Sequence, residues 1–260
     1  MIQKEWMTVV SIDEIAASIF EVVLEGDMAE RIQAPGQFVH VKTSPHVAPL
    51  LRRPVSISEY WPEQRRMALV FRAEGEGTSR MATWRAGDEV DVLGPLGNGF
   101  DTSDVGEGEK ALIVGGGVGV PPLLGLAKQL TGQGIRVQTV LGFADESSAF
   151  FQERFSALGD CFVSTIDGSI GEAGFVTDVI DRQGLSYDAI YACGPLPMLR
   201  ALDSSYAAAK GKLSLEERMG CGIGACFACV CHTTDDPDGT SYRKVCSDGP
   251  VFPWGEVVLS

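Results

Sequence analysis

Over the first hundred residues, apolar and polar positions change places every few residues, and no stretch holds the 3.6-residue period of a long helix. Six runs stand out: Thr8–Ser11, Ile19–Leu24, Gln37–Lys42, Pro54–Ser58, Met67–Arg72 and Glu89–Leu93. They are rich in β-branched or aromatic residues and are separated by Gly, Pro or Asp, which predicts strands. Six short strands at this spacing predict a small antiparallel barrel. Ala34-Pro-Gly-Gln and Arg85-Ala-Gly-Asp read as turns that launch two of them, and Gly94–Phe100 as a glycine-rich closing turn. Residues 101–110 are polar, acidic and aperiodic, and read as a linker.

From Ala111 the pattern alternates between short apolar runs and helical stretches. Strands are predicted at Ala111–Val114, Ile135–Leu141, Cys161–Thr165 and Asp188–Cys193, and helices at Leu123–Leu130, Ser147–Leu158, Thr177–Arg182 and Pro197–Lys210. Such βαβ alternation implies an open parallel sheet with helices on both faces, and a ligand beyond the carboxyl ends of its strands. Residues 211–260 are rich in turns and cysteines. Within them Asp235–Thr240 reads as a solvated turn without the ligand spacing of a calcium loop, and Gly249–Leu259 as a turn and final strand. The expected division is a barrel over 1–102, an α/β domain over 103–210 and a small module over 211–260, for which 260 residues are ample.

The formal charge of −14 argues against nucleic acid and against anionic membranes, which need a basic face. No apolar run reaches the roughly 18 residues of a membrane span. The N-terminus lacks the apolar core of a signal peptide, so cysteines here are expected to stay reduced in a cytoplasm. His40, His46 and His232 form no metal or triad constellation.

The cysteines change the picture most. Cys221, Cys226, Cys229 and Cys246 follow C-x4-C-x2-C and then a distant cysteine, the spacing by which plant-type ferredoxins hold a [2Fe–2S] cluster. Gly220, Gly222 and Gly224 permit the tight backbone such a loop needs. Zinc is an alternative, although structural zinc sites usually pair two C-x2-4-C knuckles. Disulfides are another, against which stands the odd total of seven cysteines. Cys231 reads as buried packing.

Several weaker motifs accompany the cluster. Arg53 and Ser56, three apart around Pro54, can present a guanidinium and a hydroxyl to one phosphate, where the plainer reading is a solvated arginine. Gly75-Glu-Gly77-Thr78-Ser79 can offer N–H groups and a hydroxyl to an anion ahead of a helix predicted over Ser79–Trp84, or be a hairpin loop. After the first α/β strand comes Gly115-Gly116-Gly117-Val-Gly119-Val-Pro-Pro, with Val120 where the dinucleotide fingerprint has its third glycine. It suits a pyrophosphate at a helix N-terminus, or a bare tight turn. Asp145, after the second strand, can accept from a ribose 2′-hydroxyl and would repel a 2′-phosphate, favouring NAD over NADP. Cys193-Gly194-Pro195 would sit where a nicotinamide lies, with no histidine nearby in sequence to make Cys193 a nucleophile.

Residues 1–210 resemble the ferredoxin–NADP+ reductase superfamily through the R-x-x-S motif, the Gly77-Thr78 pair, the glycine-proline loop and Cys193-Gly-Pro. With the segment Leu215–Cys231 and Val245-Cys-Ser-Asp-Gly-Pro-Val-Phe, the whole chain resembles the electron-transfer subunits of dihydroorotate dehydrogenase B. The resemblance implies FAD contacts at Arg53, Pro54, Val55 and Ser56, a lining strand end at Val70, Phe71 and Arg72, and FAD pyrophosphate at Gly77 and Thr78. It implies a flavin between the one-electron cluster and the hydride of NAD, because a flavin can exchange electrons singly or in pairs. It also implies an FMN-containing catalytic subunit that oxidises dihydroorotate in pyrimidine biosynthesis, a heterotetramer, and electrons passing from that FMN through the cluster and FAD to NAD+. Related expectations are a sister subunit of sulfide dehydrogenase or ferredoxin–NADP+ oxidoreductase type, and a zinc-bearing nucleotide-binding module without redox turnover.

Overall fold

A computed structural model describes residues 2–44, 46, 48–237 and 239–259. The predicted barrel forms from β1 (Gln3–Ala16), β2 (Ile19–Glu25), β3 (Phe38–Val41), β4 (Arg53–Trp61), β5 (Arg66–Arg72) and β6 (Glu89–Leu96), closed in the order β1-β2-β5-β4-β3-β6 with antiparallel pairing throughout. Alternation does the sorting. Met7, Val9, Val39, Val41, Met67, Leu69 and Phe71 fill the interior, while Val70 and Ile19 face outward into the core of the next domain. A short helix, α1 (Glu76–Met81), follows β5. It begins three residues before the predicted Ser79, because Gly75 takes the N-cap and the Thr78 side chain returns to the Gly75 N–H at 3.1 Å. Gly77 and Thr78 therefore lie in its first turn rather than in an open loop.

After the linker the chain continues through β7 (Lys110–Gly116), α2 (Pro121–Gly132), β8 (Arg136–Phe143), α3 (Gln152–Ser156), β9 (Asp160–Thr165), β10 (Glu172–Ala173), α4 (Val176–Gln183), β11 (Ala189–Cys193), α5 (Leu196–Ser205), β12 (Gly211–Ser214), β13 (Val230–His232), β14 (Tyr242–Lys244) and β15 (Val251–Pro253). A seven-stranded sheet runs β10-β9-β8-β7-β11-β12-β15, parallel except for the β12–β15 pair. Two helices are shorter than predicted. Phe151 adopts φ +67°, so only Gln152–Ser156 of the predicted 147–158 stretch is α-helical. α5 ends at Ser205 with Tyr206 as its C-cap. Pro121 and Pro122 open α2, where a missing N–H costs little.

The last fifty residues do not build a core of their own. β12 and β15 extend the parallel sheet, and Met219, Cys229, Cys231, Val245 and Cys246 pack with Phe38 and Leu96 of the barrel and with Val114 and Val140 of the sheet. The cysteine-rich segment thus fills a seam between barrel and sheet. Asn98, in the turn after β6, ties it down by donating to the carbonyls of Ser247 and Asp248. Asp238 of the predicted 235–240 turn lies outside the described residues; beside it, Asp236 accepts from the N–H groups of Thr240 and Ser241. No helix among the described residues is long and apolar enough to cross a membrane.

Barrel and sheet are latched together. Gly125 of α2 lets the helix approach β4, since a Cβ there would stand 3.0 Å from the Ser58 carbonyl oxygen. Arg154 binds Glu21 of β2 through its two terminal guanidinium nitrogens at 2.7 Å and reaches Glu59 of β4 at 3.3 Å. Lys128 of α2 pairs with the other oxygen of Glu59. Glu59 is buried, so losing Arg154 strips part of its compensation. Arg154→Ala is expected to lower unfolding free energy by about 1–3 kcal/mol, the cost of leaving a buried polar group unsatisfied. Urea denaturation of the two chains measures this, and an unchanged midpoint would show that the latch adds nothing.

Candidate functional site

A cavity of about 870 Å3 opens where the end of the barrel meets the sheet. Arg53, Pro54, Val55 and Ser56 line it from β4, and Val70, Phe71 and Arg72 from the end of β5. Thr78 reaches it from α1, so seven residues of two separate strands and one of a helix converge on one cavity. Gly77 serves Arg53 directly: a Cβ there would lie 2.7 Å from the Arg53 Nε. The missing side chain leaves room for the guanidinium, which is also held by the Leu51 carbonyl at 2.6 Å. Its neighbour Arg52 also lines the cavity. It pairs with buried Asp91 at 2.8 Å and donates to the Asp91 and His40 carbonyls, closing the barrel end.

The opposite wall is the segment Leu215–Met219, which leaves β12 toward the cysteine loop. Sequence reasoning missed Glu216 in this wall. Glu216 is exposed at this wall; the protein around the cavity raises its pKa, a shift that the Arg72 guanidinium partly offsets. Glu216 belongs to the run Leu215-Glu-Glu-Arg-Met, where Glu217 lines the cavity beside it, and nothing in that run announces either role.

The glycine loop sits at the carboxyl edge of the sheet, beside this cavity. Gly116 and Gly119 are required by packing, because a Cβ at Gly116 would lie 2.6 Å from Met198 Sδ and one at Gly119 would lie 2.5 Å from the Cys193 backbone. Val120 fills the space above Gly115, with its Cγ2 2.9 Å from where a Gly115 Cβ would be. Gly117 alone faces open space. Its φ is +52° and the nearest atom to its would-be Cβ is Arg72 Nη2, at 3.7 Å. Cys193 is buried, and burial first, then the Glu216 charge, pushes its thiol far above the usual range. Gly194 and Pro195 line a second, smaller cavity of about 150 Å3 together with Leu215 and Glu216. Asp145 stands at the end of β8 as a cap, accepting from Ser147 Oγ at 2.7 Å and from the Ser148 N–H at 3.0 Å. Those hydrogen bonds hold its carboxyl below the usual range.

The four cysteines of the ferredoxin-like spacing meet in two pairs, Cys221 with Cys226 and Cys229 with Cys246. Backbone N–H groups point at the sulfurs. Cys226 N–H lies 3.4 Å from Cys221 Sγ, and Gly224 N–H lies 3.2 Å from Cys246 Sγ. Burial acts to raise the Cys221 thiol, but N–H groups of Ile223, Cys226 and Ala225 and the Cys226 side chain outweigh it and hold it near 6. Burial and the neighbouring Cys229 push Cys246 up to about 12. Among the described residues no three His, Cys, Asp or Glu side chains close on a single metal ion. Four thiols grouped two and two, with N–H donors aimed at two of the sulfurs, fit a two-iron core that takes two thiolates per iron. Cys231 lies outside this set on β13, its thiol directed at the Arg243 carbonyl at 3.7 Å.

A family model of the iron–sulfur cluster binding domain of dihydroorotate dehydrogenase B matches residues 216–258. The protein named dihydroorotate dehydrogenase B (NAD(+)), electron transfer subunit, from Bacillus cereus (strain 03BB102) is 55% identical over 259 residues, covering 100% of both chains. The protein of the same name from Bacillus anthracis (strain A0248) is likewise 55% identical with full coverage of both. Among solved structures, that of the NADH-dependent reduced ferredoxin–NADP oxidoreductase aligns with a TM-score of 0.87 at 28% identity, over 98% of this chain and 90% of that one. A ferredoxin NADP+ reductase from Neisseria gonorrhoeae shares the fold, with a TM-score of 0.69 at 13% identity over 82% of this chain and 98% of that one. Barrel, nucleotide sheet and iron–sulfur segment together define a flavin oxidoreductase of the ferredoxin reductase type. The chain belongs to the family of dihydroorotate dehydrogenase B electron transfer subunits.

Proposed function

We propose that this chain passes electrons between a partner catalytic subunit and NAD+, using FAD in the large cavity and a [2Fe–2S] cluster on Cys221, Cys226, Cys229 and Cys246. The observation that supports this best is continuity: Leu215–Met219 line the flavin cavity, and Cys221 follows two residues later. One backbone segment therefore touches both sites. When bound, the flavin exchanges hydride on one side and single electrons on the other, and the cluster passes electrons singly.

The chain's own residues bind and orient. Arg53 and Ser56 hold FAD phosphate, with Thr78 and the first turn of α1 beside them. Val70 and Phe71 supply the apolar wall for the flavin ring, and Pro54 and Val55 shape the opposite edge. Arg72 and Glu216 place one positive and one negative group at the junction of flavin and nucleotide sites. The open backbone at Gly117, with Gly115, Gly116 and Gly119 behind it, receives the NAD pyrophosphate. Gly194 and Pro195 border the nicotinamide, and buried Cys193 packs beneath it without taking part in chemistry. Asp145 favours NAD by repelling a 2′-phosphate. The functional division follows the sequence reading, 1–102 for FAD, 103–210 for NAD and 211–260 for the cluster.

The partner is the FMN-bearing dihydroorotate-oxidising subunit, in a heterotetramer in the cytoplasm. Ile223, Phe227 and Tyr242 leave apolar surface exposed around the cysteine loop, which suits docking close to the cluster. Anaerobic co-purification with that subunit tests the reading. Released FAD, about two irons per chain and dihydroorotate-dependent reduction of NAD+ are the expected results. Zinc without flavin would sink it, and a co-purifying subunit of another chemistry would reassign the partner to a sister reductase system.

A further inference from the structure

His40 is the one buried histidine, and the reading so far gives it no work. It lies on β3, paired with Pro54 of the flavin-lining strand. Val39 and Val41 point into the barrel, so Phe38 and His40 point out of it, and their rings meet edge to face at 6.4 Å. What covers His40 is the cysteine loop. Gly222, at φ +72°, sits so close that a Cβ there would stand 2.5 Å from His40 Nδ1. The ring has no exposed surface, and neither nitrogen makes an ordinary hydrogen bond. Nδ1 is thus the ring atom turned to the loop. A buried polar ring without full partners costs about 1–3 kcal/mol against an apolar residue. Packing alone would be served better by leucine or phenylalanine.

We propose that His40 is a positioning residue for the cluster: it holds Cys221–Gly222 against the flavin-binding strand and presents to that loop an N–H at Nδ1, which draws negative charge off it. This rests on the assignment of Cys221 as a cluster ligand. Groups one shell out from a metal's ligands orient them and tune the metal centre, and hydrogen bonding near the sulfurs is among the terms that set an iron–sulfur potential. Drawing charge off the loop favours the reduced, more negative cluster. Removing it disfavours reduction.

The test is a dithionite titration of the full chain purified without oxygen, followed by electron paramagnetic resonance, with iron and FAD quantified. His40→Leu is expected to keep FAD and iron while its one-electron reduction equilibrium falls at least threefold. A tenfold fall corresponds to about 59 mV. His40→Gln, which restores a donor, is expected to recover most of it. Loss of iron from His40→Leu with FAD retained, and its recovery in His40→Gln, would equally support the positioning role. A wild-type potential and line shape in both variants would overturn it. So would joint loss of iron and FAD in both, because His40 would then merely complete the core. A wild-type chain that binds FAD but no iron would instead remove the cluster assignment itself, and this inference with it.

Discussion

Cys246→Ala is expected to leave a flavoprotein that NADH still reduces but that no longer exchanges electrons with its partner subunit. Cys246 comes from a segment seventeen residues beyond Cys229, so it does not share the loop that brings the other three together. Its thiol pairs with Cys229 and receives the Gly224 N–H at 3.2 Å. Removing it halves one of the two thiol pairs. Changes one shell out from a metal cost about 10–100-fold in affinity or activity, and a lost ligand should exceed that. Dihydroorotate-dependent reduction of NAD+ should therefore fall by more than about 100-fold, the upper end of that range. Reduction of a dye by NADH, which needs only the flavin and nucleotide sites, should persist. The informative comparison is Cys231→Ala. That thiol is equally buried but faces the Arg243 carbonyl, so iron content should stay at the wild-type level. If Cys231→Ala lost the iron and Cys246→Ala kept it, the fourth ligand would have been misassigned.

How much of this was legible depended on whether the signal was local. The barrel strands announce themselves because each carries an alternating run with a breaker at both ends, and five of the six start within two residues of the predicted position. β1 is the exception: it runs to 14 residues because it pairs with β2 along one half and β6 along the other, and no local pattern records that. Phe151 delays the start of α3 by taking φ +67° at its N-cap, a conformation a bulky residue adopts only under tertiary constraint. Here its ring packs against Phe150, at 5.1 Å, with the Arg154 guanidinium 4.1 Å away. Spacing singled out the four cysteines proposed as cluster ligands, because a small inorganic core demands them in a fixed order. Glu216 and His40 lay hidden, since both depend on which elements fold over them. The same holds for the cysteine segment, whose core is the seam between two other domains.

Gly119→Ala should separate the two roles mixed in the glycine loop. A Cβ at this position would stand 2.5 Å from the Cys193 carbonyl carbon and oxygen and from the Gly194 Cα. All three are backbone atoms, so no side chain can swing aside. The backbone at Gly119 is not in the left-handed region, so an alanine there meets no dihedral strain and the effect is one of contact alone. The loop after β7 and the loop after β11 must part. Overpacking of this kind costs about 1–3 kcal/mol, and displacing a binding loop by about 1 Å can cost on the order of 100-fold in rate. Flavin reduction by NADH should slow by about that factor, with FAD and iron contents unchanged, since Arg53, Ser56 and the cysteines lie on other elements. Gly132→Ala makes the control: nothing lies within 4 Å of its would-be Cβ at the end of α2, and the substitution should be neutral or slightly stabilising. Stopped-flow reduction by NADH reads both. A Gly119→Ala chain that reduces at the wild-type rate would mean that NAD does not bind across these two loops, and the nucleotide site would have to be sought elsewhere on the sheet.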